Sequence, residues 1–310
     1  MKKMRIQTRD LKTCQSFFKK NFSFPKKRAH KGENGKLLII GGSKLFHAAC
    51  LWSAEVASHF VDIVHFCSTQ ENEEIFLSLK KIFRNGMVIA KKDLNNYIKE
   101  DDVILVGTGM VREEKNKIGN LNHEIRNFSD LEKVDNEGVY TYFLTKYLIE
   151  NHQEKKFVFD AGAVQMMENQ WLKSLKIPAI ITPHLKEFER LFGINLERSS
   201  LEEKEETIFQ TARKFKTTIL FKNVDDIISD GDSLLTVIGG NQGLTKGGTG
   251  DVLAGLAASF YINHSSFYSS CFASMVLKIT ADKLFSQSGY WYNVSNIIRS
   301  LPVVLKDLVL

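Results

Sequence analysis

Residues 239–255 read GGNQGLTKGGTGDVLAG and are the most informative stretch of the chain. Six glycines fall between Gly239 and Gly250, directly before an apolar helical segment. Glycine lets the backbone adopt positive φ and approach a ligand closely, and the free amides at the start of a helix favour an anion. The stretch therefore predicts a phosphate-binding turn that leads into a helix carrying Asp251 in its first turn.

Asp251 has two interpretations on the residues alone. An acidic side chain in the first turn of a helix is an ordinary helix-start preference, so Asp251 could be a simple cap. Alternatively, a carboxylate beside an anion-binding turn can take a proton from a hydroxyl while backbone amides stabilise a phosphoryl group in transfer. The spacing fits neither a P-loop nor a dinucleotide-binding fingerprint. The second interpretation predicts a kinase-type site.

Short apolar runs alternate with helical stretches along most of the chain. The runs are continuous rather than alternating, so they indicate strands buried on both faces and a mostly parallel sheet flanked by helices, an α/β fold. A glycine-containing turn at residues 230–232 predicts a hairpin that forms a small antiparallel edge. Residues 250–287 predict two helices joined around residue 264. The predicted strands are 37–40, 62–67, 87–90, 103–106, 157–159, 179–182, 218–221, 226–229 and 234–238.

Charge is divided unevenly along the chain. The whole sequence carries a net charge of +6, and residues 1–31 hold eleven Lys and Arg against the single Asp10. We therefore expect residues 1–29 to be a basic N-terminal arm, solvated or tethered to an acidic partner or membrane surface. Nucleic-acid binding requires basic groups across a folded face, and the rest of the chain is net acidic, so we expect no nucleic-acid partner.

Other features concern the location of the protein. No run approaches the about eighteen apolar residues of a membrane span, and the first thirty residues lack the apolar core of a signal peptide. The four cysteines include no C-x-x-C pair, which favours reduced thiols over a zinc site or disulfides. These observations predict a cytoplasmic protein with no membrane partner. The charged residues 107–136 predict a surface lid or insertion.

The chain resembles a known family. The segment GGTGDVLAG at residues 247–255 is similar to the signature of the ADP/ATP-dependent NAD(P)H-hydrate dehydratases, a branch of the ribokinase-like superfamily. Further anchors follow in the family order: His30-Lys31-Gly32, Gly35, Ile39-Ile40-Gly41-Gly42-Ser43, Asp160-Ala161, Thr182-Pro183-His184 with Glu187, and Lys222. The resemblance implies that residues 30–310 form a single ribokinase-like domain.

The resemblance also implies an activity. Family members phosphorylate the ring hydroxyl of hydrated NADH or NADPH from ADP or ATP, and phosphate then leaves to restore the double bond. It implies Mg²⁺ as cofactor, ADP or ATP as co-substrate, a separate NAD(P)H-hydrate epimerase as pathway partner, and a homo-oligomer. Two alternatives stay open: a small-molecule kinase of the same superfamily, acting on a vitamin precursor or sugar, and a non-catalytic nucleotide-binding protein.

Site residues follow from the same resemblance. Asp251 would be the base for the hydroxyl and a substrate contact. Glu187 would either cap the helix predicted at residues 186–192 or orient a metal-bound water, and the helix-start role is favoured. The anion hole would be Gly247, Gly248, Thr249 and Gly250. The nucleotide would contact Lys222, Asn223, Val224, Asp225, Asp226 and Gly250. The substrate would contact Ala49, Gly109 and His184 in addition to Asp251.

The chain departs from the usual family residues, mostly on the substrate side. Phe46 replaces the usual Tyr, and Gly162 replaces a common second Asp. Loss of that hydroxyl and that acid predicts altered substrate affinity, substrate choice or activity. The further departures are Ala48 for Gly, Leu185 and Lys186 for Pro-Gly, and Asn223 for Gly.

Overall fold

The protein was analysed as a computed structural model that describes residues 2–114, 125 and 127–310. In these residues the strands form one mixed sheet. The strands are β1 (Lys2–Gln7), β2 (Lys36–Ile40), β3 (Ile63–Cys67), β4 (Met87–Val88), β5 (Val103–Val106), β6 (Lys156–Phe159), β7 (Ile180–Ile181), β8 (Thr218–Phe221), β9 (Asp226–Ser229) and β10 (Ser233–Ile238).

The strands lie in the order β1-β10-β9-β8-β7-β6-β5-β2-β3-β4. Strand β9 is antiparallel to both β8 and β10, and the other neighbouring pairs are parallel. The predicted mostly parallel sheet is therefore confirmed, and so is the hairpin of β9 and β10. The hairpin is not the edge of the sheet, because β1 pairs in parallel with β10 beyond it.

Helices cover the sheet because its strands present apolar side chains to both faces. Leu38 and Ile40 of β2 belong to one buried cluster, whereas Leu37 and Ile39 belong to another. Such two-sided burial is typical of parallel sheets between helical layers. The α-helices are Leu11–Asn21, Ala48–Ala57, Gln70–Ser78, Leu94–Glu100, Phe128–Leu131, Glu137–Asn151, Ala161–Met166, Leu185–Phe192, Leu201–Phe215, Thr249–Tyr261, Ser266–Ser288 and Val294–Val309.

The N-terminal residues do not form the predicted basic arm. They fold as strand β1 and the helix Leu11–Asn21, which buries Phe17 and Phe18. Lys3 and Arg5 of β1 contact an acidic side chain of the helix Leu201–Phe215: Glu205 accepts a hydrogen bond from Arg5 Nε at 2.8 Å and lies 2.5 Å from Lys3 Nζ. Two of the basic residues at the start of the chain, Lys3 and Arg5, therefore attach β1 to the helix Leu201–Phe215.

Acid is expected to weaken this attachment. Burial favours the neutral acid, but the hydrogen bonds from Arg5 and Lys3 outweigh it and lower the pKa of Glu205 to about 2. A carboxyl whose pKa is lowered on folding stabilises the protein above its ordinary pKa and loses that effect as the pH falls toward the folded value. We expect Glu205→Gln to lower the free energy of unfolding by about 1–3 kcal/mol at pH 7.

Urea unfolding of wild type and Glu205→Gln between pH 7 and pH 2.5 measures this effect. The difference between the two proteins should shrink as the pH falls below the ordinary carboxyl pKa of about 4.3. A difference that stays constant down to pH 2.5 would contradict the assignment of the effect to the Glu205 charge.

Two further expectations concern particular segments. The predicted lid at residues 107–136 lies partly outside the described residues, at 115–124 and 126. Its described part includes the helix Phe128–Leu131, whose Phe128 and Leu131 are buried. All four cysteines are free thiols, as expected. Among the helices that the structure describes, none has the length and apolarity needed to cross a bilayer.

Candidate active site

The predicted site residues meet at one edge of the sheet. Asp160 follows β6, His184 follows β7 and Lys222 follows β8, and His184 and Lys222 are neighbours in a parallel bridge that extends β7 and β8. Carboxyl ends of parallel strands share an edge, which is where open α/β sheets bind ligands. The helix Thr249–Tyr261 carries Asp251 in its first turn.

The glycine-rich turn is braced from one side and open on the other. Gly248 has a φ of 99°, and a Cβ on it would lie 2.4 Å from Trp52 Cζ3. The hydroxyl of Thr249 donates to the carbonyls of Leu244 at 2.7 Å and Lys246 at 3.0 Å. Gly247, in contrast, is exposed and has open space where a Cβ would lie. The turn is thus rigidly shaped and accessible to an anion.

Asp251 is not the helix cap, since Gly248 occupies that position. Its backbone is held from the neighbouring helix by Ser53, whose hydroxyl donates to the Asp251 carbonyl at 3.0 Å. Burial, reinforced by the negative charge of Asp160 and opposed by Lys222, raises the pKa of Asp251 to about 7. A carboxyl with a pKa near neutrality suits proton transfer at physiological pH.

A buried charge cluster of Asp160, Glu187 and Lys222 lies beneath the turn. Lys222 Nζ donates to Asp160 Oδ1 at 2.8 Å and lies 3.7 Å from Glu187 Oε2. Asp160 Oδ1 also accepts a hydrogen bond from the hydroxyl of Thr182 at 2.6 Å. A Cβ built on Gly250 would lie 3.7 Å from Lys222 Nζ, so the ammonium lies against the phosphate-binding turn.

The cluster fixes the charge of Lys222. Burial by itself would lower the pKa of Lys222, but the carboxylates of Asp160 and Glu187 outweigh burial and hold the pKa above its ordinary value. Burial likewise opposes ionisation of Glu187, yet the Lys222 ammonium keeps the pKa of Glu187 below its ordinary value. Because its side chain is only 18% exposed, Lys222 is not a surface lysine at a strand end.

His184 and Glu187 form a reciprocal cap at the start of the helix Leu185–Phe192. Glu187 Oε2 accepts from the His184 amide at 2.9 Å, while His184 Nδ1 accepts from the amides of Lys186 at 3.1 Å and Glu187 at 3.4 Å. The helix-start role predicted for Glu187 is thereby confirmed. Nδ1 is thus engaged by the helix amides, while Nε2 lies 3.5 Å from Glu187 Oε1 on a side chain that is half exposed.

The alternative role of Glu187, orienting a metal-bound water, has weaker support. Glu187 Oε1 accepts from Gln165 Nε2 at 3.0 Å, and Oε2 is engaged as described above. Within the described ranges, no group of three or more His, Cys, Asp or Glu side chains could hold a metal ion. Mg²⁺ commonly binds through one or two carboxylates together with substrate phosphates and waters, so the role of Glu187 in orienting a metal-bound water stays a prediction.

Ala49 and Gly109, two residues predicted to contact the substrate, lie where backbone segments pack closely. Gly109 has a φ of 72°, and a Cβ on it would lie 2.8 Å from Ala49 Cβ and 3.2 Å from Gly42 Cα. An open cleft of about 290 Å³ adjoins this contact and is lined in part by Gly41, Gly42 and Met110. Ala49 and Gly109 thus lie in close packing beside the cleft, and their contact with a substrate stays a prediction.

Two of the family departures have visible consequences. Phe46 is half exposed, next to the helix that begins at Ala48, so its ring presents an apolar surface where a hydroxyl would be usual. A Cβ on Gly162 would lie 2.4 Å from the Met110 carbonyl oxygen, so the present loop has no room for an aspartate there. Of the other departures, Leu185 is the first residue of its helix, and the Lys186 amide donates to the capping side chain of His184. The Asn223 amide donates to Asp226 Oδ1 at 3.1 Å.

The predicted nucleotide turn, residues 223–226, has an exposed tip and a buried base. Val224 is 82% exposed, whereas Asp226 is buried and accepts hydrogen bonds from Ser274 and from the Asn223 amide. Asp226 therefore shapes the turn from inside, while the exposed tip and Asp225 lie nearer to solvent. Sequence reasoning missed Lys278, whose Nζ donates to the Val224 carbonyl, although a lysine within the apolar run MVLKITA is a visible signal.

Comparison with known proteins agrees with this geometry. A profile of the family described as NAD(P)H-hydrate dehydratase matches residues 37–303, most of the chain. The chain belongs to the NAD(P)H-hydrate dehydratase family. The matched range contains the phosphate-binding turn, the buried charge cluster and Asp251, and it leaves β1 and the first helix outside.

Two curated relatives and one solved structure of the family illustrate the similarity. The bifunctional NAD(P)H-hydrate repair enzyme Nnr of Methanocaldococcus jannaschii is 31% identical over 90% of this chain and 49% of its own length. This chain thus spans about half the length of the first curated relatives that it matches. The ADP-dependent (S)-NAD(P)H-hydrate dehydratase of Nitrosopumilus maritimus is 26% identical over 91% of this chain and 92% of its own.

The solved structure is the ADP/ATP-dependent NAD(P)H-hydrate dehydratase from Bacillus subtilis, co-crystallised with ATP/Mg²⁺. It superposes with a TM-score of 0.72 at 18% identity, covering 95% of this chain and 97% of its own. At that identity the likeness concerns the fold, and the predicted ribokinase-like fold is confirmed.

Proposed function

We propose that the chain dehydrates hydrated NADH or NADPH at the expense of ADP or ATP. The observation that carries the proposal is the Asp251 carboxyl, half-buried in the first turn after the open glycine turn, with a pKa near neutrality. A base beside an anion-binding turn suits phosphoryl transfer to a hydroxyl. Family membership supports the hydrated dinucleotide as the hydroxyl-bearing substrate.

The chemistry requires two steps. In the first, Asp251 takes the proton of the ring hydroxyl, and the hydroxyl oxygen forms a bond to the terminal phosphorus of the nucleotide. The bond from that phosphorus to the bridging oxygen of the nucleotide breaks at the same time. Amides of Gly247 to Gly250 stabilise the transferred phosphoryl oxygens. In the second, phosphate leaves with the electrons of the carbon–oxygen bond, and loss of a proton from the adjacent carbon restores the ring double bond.

Other residues position the two substrates. Lys222 offers a fixed positive charge beneath the turn, suited to the negative phosphates. His184 has its Nδ1 engaged by the helix amides, so only Nε2 of its half-exposed ring can contact the substrate. Mg²⁺, when bound with the nucleotide phosphates, supplies charge neutralisation. The co-crystallisation of the Bacillus subtilis enzyme with ATP/Mg²⁺ supports this combination.

Reconstitution tests the proposed activity. Purified protein should restore the near-ultraviolet absorbance of hydrated NADH only when ADP or ATP and Mg²⁺ are present. Stable phosphorylated product without return of that absorbance would favour the alternative of a small-molecule kinase, which the departures at Phe46 and Gly162 keep open. Thermal protection by nucleotide, with no turnover of either kind, would favour a non-catalytic nucleotide-binding protein.

The pH dependence of turnover should report Asp251. Its carboxyl must be ionised to accept a proton, and burial raises its pKa to about 7. We therefore expect kcat/KM to fall about tenfold per pH unit below pH 7 and to level off above it. Steady-state rates in buffers from pH 5 to pH 9 measure this profile. A profile that stays flat down to pH 5 would contradict the role of Asp251 as the base.

The wider context stays a prediction. The bifunctional name of the Methanocaldococcus jannaschii relative supports pairing with a second repair activity, which we expect to be the epimerase. The homo-oligomer, the cytoplasmic location and the lack of a nucleic-acid partner likewise remain expectations.

A further inference from the structure

Lys278 is a buried lysine that the proposed mechanism does not use. It lies in the helix Ser266–Ser288, and its side chain is 5% exposed. Its Nζ donates to the carbonyl oxygens of Val224 at 2.5 Å and Gly239 at 3.2 Å, and lies 3.7 Å from Asp226 Oδ1. One ammonium therefore joins the 223–226 turn to the beginning of the glycine-rich stretch.

Asp282, one helical turn after Lys278, holds the same stretch by its amides. Its Oδ2 accepts from the Gly240 amide at 3.2 Å and from the Thr8 hydroxyl at 3.0 Å, and its Oδ1 lies 3.4 Å from Asn241 Nδ2. Residues four apart share one face of a helix. On that face, the Lys278 ammonium binds the carbonyl oxygens of two segments, and the Asp282 carboxylate binds amide groups at the beginning of the glycine-rich stretch.

The packing leaves this loop little freedom. Gly239 and Gly240 both have positive φ, and a Cβ on Gly240 would lie 3.2 Å from Lys278 Cγ. On Gly239, a Cβ would lie 1.8 Å from the Thr8 hydroxyl oxygen. The loop therefore rests on the methylene groups of Lys278 and against Thr8, and a change at Lys278 must alter its position.

Stability alone does not account for a buried pair of Lys278 and Asp226 here. Burying the two charges costs several kcal/mol each, and replacing such a pair by apolar side chains of similar volume is often neutral or stabilising. Methionine has a similar length and would suit the apolar run MVLKITA. What methionine cannot do is fix two carbonyl oxygens from separate segments at hydrogen-bond distance.

We propose that Lys278 and Asp282 are positioning residues for the nucleotide. They hold the 223–226 turn in register with the glycine-rich stretch, so that one nucleotide can contact the turn with its AMP part and Gly247 to Gly250 with its terminal phosphate. The inference rests on the proposed function, which places the nucleotide on those two segments. Misplacement of binding groups by about 1 Å can reduce reactivity by up to 10²-fold.

Lys156 provides a matched control. It is another lysine whose Nζ donates to two backbone carbonyl oxygens, those of Tyr261 at 2.9 Å and Ile262 at 3.0 Å, at the opposite end of the helix that carries Asp251. Lys278→Met also leaves the buried Asp226 carboxylate without its cation, which Asp282→Asn does not do. Lys156→Met and Lys278→Met each remove one pair of hydrogen bonds from an ammonium to backbone carbonyl oxygens. Only Lys278→Met removes one beside the nucleotide segments.

Calorimetric titration with Mg-ADP tests the inference without requiring turnover. Relative to both wild type and Lys156→Met, Lys278→Met is expected to raise the Kd for Mg-ADP about tenfold or more. In steady-state assays of the same proteins, the KM for nucleotide should rise while the KM for the hydrated cofactor stays within about twofold. Asp282→Asn, which keeps the side-chain shape, should raise the Kd in the same direction and serves if Lys278→Met does not fold.

Equal affinity for Mg-ADP in Lys278→Met and Lys156→Met would overturn the inference, and so would an unchanged Kd in Asp282→Asn if Lys278→Met does not fold. If wild type binds only Mg-ATP, the same titrations use Mg-ATP. Wild-type protein that binds neither Mg-ADP nor Mg-ATP would overturn both the inference and the proposed function. Wild-type protein that binds Mg-ADP but leaves hydrated cofactor unchanged would contradict the proposed function alone, because the comparison of affinities would still decide the role of Lys278.

Discussion

Asp251→Asn is expected to reduce kcat for dehydration about 10³-fold, within the range usual for loss of a general base. Asparagine keeps the shape of the side chain but cannot accept the hydroxyl proton. The substitution should leave nucleotide binding in place, because the amides of the glycine turn and the Lys222 ammonium are unchanged. Rates from the absorbance assay, with Kd for Mg-ADP measured in parallel, check both statements.

Stability provides an independent readout for the same variant. Burial raises the pKa of Asp251, so the folded protein disfavours the ionised form, and this cost is present above the ordinary carboxyl pKa. The free energy of unfolding of Asp251→Asn at pH 8 should therefore equal or exceed that of wild type. A variant that turns over within tenfold of wild type would remove Asp251 from the mechanism, whereas one that unfolds would show that the carboxylate has a structural role instead.

Lys222→Met is expected to lower the free energy of unfolding by about 3–5 kcal/mol, because it leaves two buried carboxylates without their cation. Asp160 and Glu187 both face Lys222 Nζ, at 2.8 and 3.7 Å. The variant should also lose nucleotide affinity, since the only strand-end ammonium beneath the turn in the described residues would be absent. Urea unfolding at pH 7 measures the first effect and titration with Mg-ADP the second.

A second substitution separates charge from packing. Asp160→Asn in the Lys222→Met background removes one unpaired charge and should recover part of the lost stability without recovering nucleotide affinity. Lys176→Met, at an exposed ion pair with Glu154, is the control and should change stability little. If the double variant is no more stable than Lys222→Met, the loss comes from packing rather than from unpaired charge.

The parts of the fold that sequence reasoning predicted are those with local signals. Strands 103–106, 218–221 and 226–229 are observed with the predicted bounds. The first two are short, largely apolar runs, and the third was indicated by the glycine-containing turn at residues 230–232 that follows it. The helix-start role of Glu187 was also predictable, since a capping box places its two partners three residues apart. Both kinds of pattern can be recognised without knowing what lies elsewhere in the fold.

Sequence reasoning missed strand β1 because the residues that stabilise it, in β10 and in the helix Leu201–Phe215, are distant in sequence. Its register places Lys2 opposite Ser233, and the side chains of Lys3 and Arg5 contact Glu205 of a helix far along the chain. Counted locally, those lysines and arginines indicate a solvated arm. The alternation of Met4 and Ile6 with polar neighbours is a weak strand signal that the charge concealed.

The candidate site shows the same division. Asp251 and the glycine turn are contiguous, so their chemistry could be predicted from the residues and their family from the resemblance. The buried charge cluster joins Asp160 and Lys222, which follow β6 and β8, to Glu187 in the first turn of the helix Leu185–Phe192. A sequence alone does not show which buried charges will meet. Lys278 was missed for that reason too, because the carbonyl oxygens it binds lie in segments about 40–55 residues earlier.

The pairing of β1 with β10 bears on how the protein can be produced. The family profile begins at residue 37, and a recombinant version trimmed to that boundary would lose β1 and uncover the whole length of β10. An uncovered strand edge invites self-association. Thr8 would be lost as well, and with it one support of the loop that opens the glycine-rich stretch. Trimmed preparations should therefore precipitate more readily and bind nucleotide less tightly, while a purification tag is better tolerated after Leu310, which is 77% exposed.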